Sequence, residues 1–196
     1  WGLLNCHRDP KVNTLVPVGK SYPLLISESR INKVKEEIQK VVDILDIKFG
    51  GFNLEVMIDE KERVFLIEMG PRNGGNMIPD LLKIINNVDL IGATVETAIG
   101  NNSLVLEADT NNGFYATHNI HTEKNGSFVD IKYKNDIEDK IIKKVIYKEK
   151  GDVVQYFDGA NKAIGILFLK FDSQEEQMDF VTNPEKWIEV IVEQVI

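Results

Sequence analysis

The chain has 196 residues, about 1.3 domains at roughly 150 residues each, so it reads as one larger unit with a smaller one attached. Hydrophobic residues make up 43% and charged residues 28%, ordinary globular values, and no run approaches the roughly 18 apolar residues of a membrane span, which sets disordered and membrane-spanning classes aside. The net charge of −8 has the wrong sign for a nucleic-acid partner, although a compact anion such as a nucleotide is still allowed.

The chain opens Trp1-Gly2-Leu3-Leu4-Asn5, with no signal-peptide pattern, and is expected to be cut from a longer protein. Cys6 is the single cysteine; it rules out an internal disulfide and predicts a reducing, cytoplasmic setting. Residues 12–18 alternate as a strand would, and Gly19 to Pro23 is turn-like. Apolar residues at Ile31, Val34, Ile38, Val41 and Leu45 predict a helix from about Glu28 to Ile47, capped by Ser27 or Ser29. Two strand-like runs follow, Phe52 to Ile58 and Val64 to Met69, joined by the charged residues 60–63.

The run Gly70-Pro71-Arg72-Asn73-Gly74-Gly75-Asn76 predicts a loop with an accessible backbone. Helical patterns cover Pro79 to Asn86 and Asp89 to Ile99, and the Asn-rich stretches at 100–102 and 110–113 suggest a domain boundary, giving domains 1–108 and 109–196. Beyond it the pattern predicts strands over Phe114–Ile120, Phe128–Tyr133, Ile141–Tyr147 and Ala163–Phe171. Turns are expected at Asn125-Gly126 and Gly151-Asp152, and helices over Ser173–Val181 and Pro184–Val195. The fold class expected is α+β, a mainly antiparallel sheet backed by helices, followed by a small β-rich domain.

The chemistry sits in the hairpin. If residues 60–63 form a four-residue connection, Asp59 faces Val64 and Glu55 stands directly opposite Glu68. Two like charges in that position destabilise a sheet unless a cation lies between them. Oxygen ligands suit hard ions such as Mg²⁺ or Mn²⁺, and Mg²⁺ is commonly held by one or two carboxylates together with substrate phosphates. Two solvated glutamates, or a register shifted by one, is the competing reading. Four residues past Glu68, Arg72 offers a planar fork for phosphate or carboxylate, and Asn73-Gly74-Gly75 follows at once. Bound metal, arginine and close backbone approach are what phosphoryl transfer requires.

The segments Gly51–Asp59 and Val64–Gly75 together resemble the C-terminal portion of the ATP-grasp superfamily of ATP-dependent ligases. The resemblance implies Glu55 and Glu68 as ligands of the magnesium of Mg-ATP and Arg72 as the arginine on transferred phosphate or substrate. Gly70 departs from the asparagine that many members carry as a third ligand, and Asn73 is the alternative that could reach the metal and nucleotide. Lys11, just before a strand expected to cross the substrate end of the site, becomes a candidate substrate contact. Residues 12–100 carry the likeness well, and the remainder loosely resembles the C-terminal domains of biotin carboxylase-like and amino acid ligase-like members.

The implied activity is that of a carboxylate–amine ligase working through an acyl phosphate. Amino acid ligases and the large subunit of carbamoyl-phosphate synthase are the nearest subtypes, with a non-catalytic ATP-grasp-like binding module as the alternative. The implied partners are ATP, small carboxylate and amine substrates and the missing N-terminal part of the same chain, without which the fragment is expected to be inactive; a homodimer is compatible.

Three smaller signals carry bland readings. His118 and His121 would point to opposite faces of a strand, so a shared metal is not expected. Cys6-His7 lacks a third orienting group for nucleophilic catalysis. The lysines between Lys140 and Lys150 read as a solvated strand face.

Overall fold

A computed structural model describes residues 1–101 and 105–194. In chain order the first elements are β1 (Asn5–His7), β2 (Gly19–Tyr22), α1 (Glu28–Ile44), β3 (Asn53–Ile58), β4 (Val64–Gly70), α2 (Ile78–Asn86) and α3 (Leu90–Ala98). They are followed by β5 (Phe114–Ile120), β6 (Gly126–Tyr133), β7 (Ile141–Ile146), β8 (Val153–Val154), β9 (Gly165–Phe171), α4 (Gln174–Thr182) and β10 (Ile188–Glu193). The strand pairings of the described residues are antiparallel throughout, and the class is α+β. No described helix is long and apolar enough to cross a membrane.

The chain divides into two compact units, residues 25–111 and residues 1–24 with 112 onward. The sequence pattern put the division at 108/109 and left the N-terminal residues with the first domain. They go instead with the C-terminal unit, because β1 and β2 extend its sheet, whose strand order is β1-β2-β5-β9-β7. Register runs straight across it, His7 opposite Gly19 and Gly19 opposite His118. Its centre is β9, Gly-Ile-Leu-Phe-Leu-Lys-Phe, buried at every position but Lys170. Such a continuous apolar run marks a strand covered on both faces. From α4, capped by the Ser173 side chain, Phe180 enters the core, while Gln177 Nε2 donates to Tyr22 O and Tyr115 O at 2.7 Å each, tying β2 to β5. A second sheet, β10-β6-β8, completes this unit.

Two sequence expectations fail here for identifiable reasons. The alternating stretch 12–18 is a loop, because the Asn13 side chain takes the Leu15 N–H at 3.0 Å, Asn13 O takes the Val16 N–H at 2.9 Å, and Pro17 has no donor for a ladder. Its apolar residues Val12 and Val18 pack on Phe157 and Ala163 instead, and the strand is the supposed turn that follows, β2. The helix expected over Pro184–Val195 is a single 3₁₀ turn and then β10, whose Ile188, Val190 and Val192 recur at period 2, not 3.6. Residues 102 and 195 of those expectations lie outside the described residues.

In the unit formed by residues 25–111, α1 begins at Ser27, whose hydroxyl accepts the Arg30 N–H, and buries Val34 and Ile38. Helix α2 buries Leu81, Leu82 and Ile85, and Asp89 caps α3 through the Gly92 N–H. The sheet here is the β3–β4 hairpin alone.

Candidate functional site

The hairpin is built from its turn. Asp59 N donates to Arg63 O at 3.1 Å, so the connection has three residues rather than four, and Glu62 takes a left-handed conformation at φ 60°. The Asp59 carboxylate organises the turn: it accepts the Lys61 and Arg63 N–H groups at 3.0 and 2.8 Å and the Arg63 Nε–H at 2.7 Å. The hydrogen bond from the Arg63 backbone, more than any other, holds this carboxyl below the usual range.

This turn sets Ile58 opposite Val64, one residue off the expected register. A β-bulge then places Ile67 between the pairs Val56–Leu66 and Glu55–Glu68 and shifts the register back. Glu55 therefore stands opposite Glu68, as expected, although by a bulge and not by a four-residue loop. Directly opposed residues share a face with Cβ atoms about 4.5–5.5 Å apart, close enough for one cation to bridge two carboxylates. The same face carries Met57, 56% exposed, and Phe65, 41% exposed. Oxygen donors of this kind fit a hard divalent cation. Among the described residues no three or more His, Cys, Asp or Glu side chains gather into a ready metal cage, so the donor set offered is the pair.

Beyond Gly70 the chain turns sharply, Arg72 N donating to Gly70 O at 2.8 Å. Exposed Arg72 folds back over Gly70 and donates from Nη1 to Asn73 O at 2.9 Å. A Cβ added at Gly70 would meet only the Arg72 side chain, at ordinary contact distances of 3.6–3.7 Å. Asn73 has an anchoring role: Nδ2 donates to Thr94 Oγ1 at 2.8 Å and Leu90 O at 3.3 Å, fastening the loop to α3. Gly74 is a close-approach position, where a Cβ would lie 2.7 Å from Ile78 Cδ1 and 2.9 Å from Asn53 Oδ1. Left-handed Asn76 and Met77 then lead into α2.

Glu55, Glu68, Arg72 and Asn73 thus all belong to the 25–111 unit, whereas Lys11 belongs to the other. Its ammonium pairs with Glu185 at 3.1 Å, and that hydrogen bond, with Asp9 and Glu123 nearby, raises its pKa. The bulge at Ile67 and the Asp59 turn were missed in the sequence; only the Asp followed at two and four residues by backbone donors could have signalled the turn.

No protein-family profile matches the chain. One curated relative, the uncharacterized protein y4rH of Sinorhizobium fredii, is 30% identical over 80 residues, 41% of this chain and 16% of that protein. Among solved structures, phosphoribosylglycinamide synthetase from Anaerococcus prevotii is similar with 27% identity and a TM-score of 0.73, over 91% of this chain and 46% of that one. L-amino acid ligase from Bacillus licheniformis shares 16% identity at a TM-score of 0.76, over 91% and 44%. The biotin carboxylase domain of Hydrogenobacter thermophilus 2-oxoglutarate carboxylase, a dimer solved with MgADP, ADP and bicarbonate, shares 17% identity at a TM-score of 0.66, over 96% and 42%. These neighbours are ATP-grasp ligases, and the chain spans under half the length of each.

Proposed function

Starting from a chain that has the fold of part of an ATP-grasp ligase, we propose that Glu55 and Glu68 hold the magnesium of Mg-ATP in a carboxylate–amine ligase. The observation that carries the reading is the direct cross-strand pairing of the two carboxylates at the β4 bulge, followed four residues later by Arg72. Bound between them, the metal would supply charge neutralisation for the β and γ phosphates. Arg72, exposed and with one of its five donors spent on Asn73 O, presents the rest of its fork to the transferred phosphoryl group.

In this reading a substrate carboxylate oxygen attacks the γ-phosphorus, ADP leaves, and the product is an acyl phosphate. An amine then attacks the acyl carbon, phosphate leaves with the C–O electron pair, and the amine loses a proton. Asn73 and Gly74 position the loop rather than touch substrate, and Lys11 serves as a substrate contact only if its pair with Glu185 opens. The amine, the carboxylate and the rest of the longer protein are part of the proposal, as is its cytoplasmic setting.

The test is calorimetric titration of the full-length protein with a non-hydrolysable ATP analogue and Mg²⁺, comparing the wild type with Glu68→Gln. Loss of metal-dependent binding supports the assignment, and unchanged binding refutes it. A second reading, an ATP-grasp-like module that binds without turnover, is favoured by one feature, Gly70 in place of the asparagine ligand of many members. It predicts nucleotide binding with no phosphate release for any carboxylate and amine pair.

A further inference from the structure

The unit built from residues 1–24 and 112 onward holds a cavity of about 480 Å³, within the roughly 300–1,000 Å³ of small-molecule sites. It shares no lining residue with the paired glutamates, all its walls coming from this one unit. One wall is apolar, made by Ile188, Val190 and Val192 along β10. Deeper in lies His118, 7% exposed, in the row where Gly19 leaves the space between it and His7 without a side chain.

The ring of His118 lies against Phe180, edge-on at 5.6 Å, and against His121 at 5.5 Å. The alternation expected to separate the two histidines ends with β5 at Ile120, which lets His121 turn back beside His118. His121 is partnered, by Asn119 O at 2.7 Å and Asp9 Oδ2 at 3.2 Å. Neither ring nitrogen of His118 has a hydrogen-bond partner among the described residues. Burial above all lowers its pKa to about 3, so the ring is neutral and offers one donor and one acceptor. A buried polar group left unpaired is costly, and one that lines a cavity is satisfied by what enters it.

The rim decides what that is. Lys11 pairs with Glu185 at 3.1 Å and Lys134 with Glu189 at 2.7 Å, each side chain 42–56% exposed. Exposed Glu123 and Lys124, on the chain leaving β5, add one more charge of each sign. Exposed pairs open at little cost, but a ligand of a single charge would leave the other partner of each opened pair without a counter-ion. A ligand with both charges on one apolar frame strands neither. We propose that this cavity binds a small zwitterion, an ammonium and a carboxylate on an aliphatic body, with His118 as its buried hydrogen-bonding group and the Lys–Glu rim as its charge clamp. The inference goes beyond the ligase reading and does not rest on it.

The chain has three histidines, so its imidazole ¹H–¹³C spectrum has three cross-peaks, and the titration needs neither metal nor nucleotide. L-leucine is titrated into the full-length protein beside isoamylamine and 4-methylpentanoate, which carry the same aliphatic body with one charge each. We expect leucine to shift the His118 and His121 peaks saturably, with each single-charge analogue at least about tenfold weaker. Glu123→Gln and Lys124→Gln, exposed and therefore harmless to the fold, should each weaken leucine by about three- to tenfold. Absence of a saturable shift overturns the proposal. So does an analogue as potent as leucine, which would make the cavity a plain cation or anion site, or a leucine midpoint that neither variant moves.

Discussion

The two units keep their hydrophobic and ionisable residues in opposite ways. In the C-terminal unit, β5 and β9 are almost wholly buried, and all three histidines sit in it, two of them packed against the Gly19 position of the sheet. In the 25–111 unit the sheet is a lone hairpin whose Met57, Phe65 and Ile67 are 41–56% exposed, and Ile91, Val95 and Ile99 of the helical segment are 54–73% exposed. A two-stranded sheet is marginal by itself. Stability is therefore concentrated in one unit, while the candidate phosphate chemistry occupies the face of the other where burial is poorest and a metal and nucleotide have room.

Acid should break this contrast most strongly. Burial above all depresses the pKa of His7 to about 4 and of His118 to about 3, from an ordinary 6.5. Below pH 6.5 the unfolded chain binds protons that the folded unit refuses, so this stability is complete above pH 6.5 and declines as pH falls toward those values. Each histidine accounts for about 1.4 kcal/mol per pH unit, a loss on the order of 5 kcal/mol for the two at pH 4.5. Hydrogen exchange resolved by segment should show β5 and β9 losing protection between pH 7 and 4.5. The 25–111 unit has no histidine and should show no such titration. Equal loss in both units would sink the idea, as would an unchanged pH slope in His118→Gln.

Packing should sharpen the same difference. Phe168, fully buried at the centre of β9, should cost about 3–5 kcal/mol on Phe168→Ala. Phe65, on the exposed hairpin face under the Arg63 guanidinium at 5.4 Å, should cost under about 1 kcal/mol on Phe65→Ala. Urea denaturation of both variants checks this.

Function should fall on the other side of the divide. Glu55→Gln should weaken metal-dependent nucleotide binding by about 100-fold, roughly 2.7 kcal/mol, and leave the thermal midpoint of the C-terminal unit unmoved. A parallel loss of binding and of melting temperature would mean that the carboxylate supports the fold rather than a ligand.

How far the sequence could be read follows the same physics. Period-3.6 and period-2 patterns located α1, β5, β9 and the hairpin because burial on one face or both imposes them. The pairing of Glu55 with Glu68 was legible, but its cause was not: the three-residue turn at Asp59 and the bulge at Ile67 offset one another, and neither leaves a pattern in hydrophobicity. Residues 12–18 alternate and still form a loop, since Asn13 satisfies its neighbours locally and Pro17 cannot join a ladder. The N-terminal residues' place in the C-terminal sheet is a pairing across about a hundred positions, which no local signal reports. The nearness of His118 and His121 depended on where β5 stops, and strand ends are set by tertiary contacts.

The smallest expected effect probes the one residue that departs from the asparagine many ATP-grasp members carry. Gly70 stands opposite Asn53 at the end of the hairpin, one pair beyond Leu54–Met69 and two beyond the glutamates. Residues two apart on a strand share a face, so a side chain at position 70 would rise on the side of Glu55 and Glu68. Room exists, since an added Cβ would touch only Arg72 atoms at 3.6 Å or more, and that arginine is long, exposed and able to yield. Gly70→Asn should therefore fold normally and add an amide oxygen to the two carboxylates. If the pair is a metal site short of one ligand, Mn²⁺-dependent nucleotide binding should tighten by about tenfold, 1.4 kcal/mol, and Glu68→Gln should abolish that gain. If affinity does not change while the protein melts normally, the added oxygen finds no metal beside the glutamates, and they are solvated charges on an exposed hairpin face.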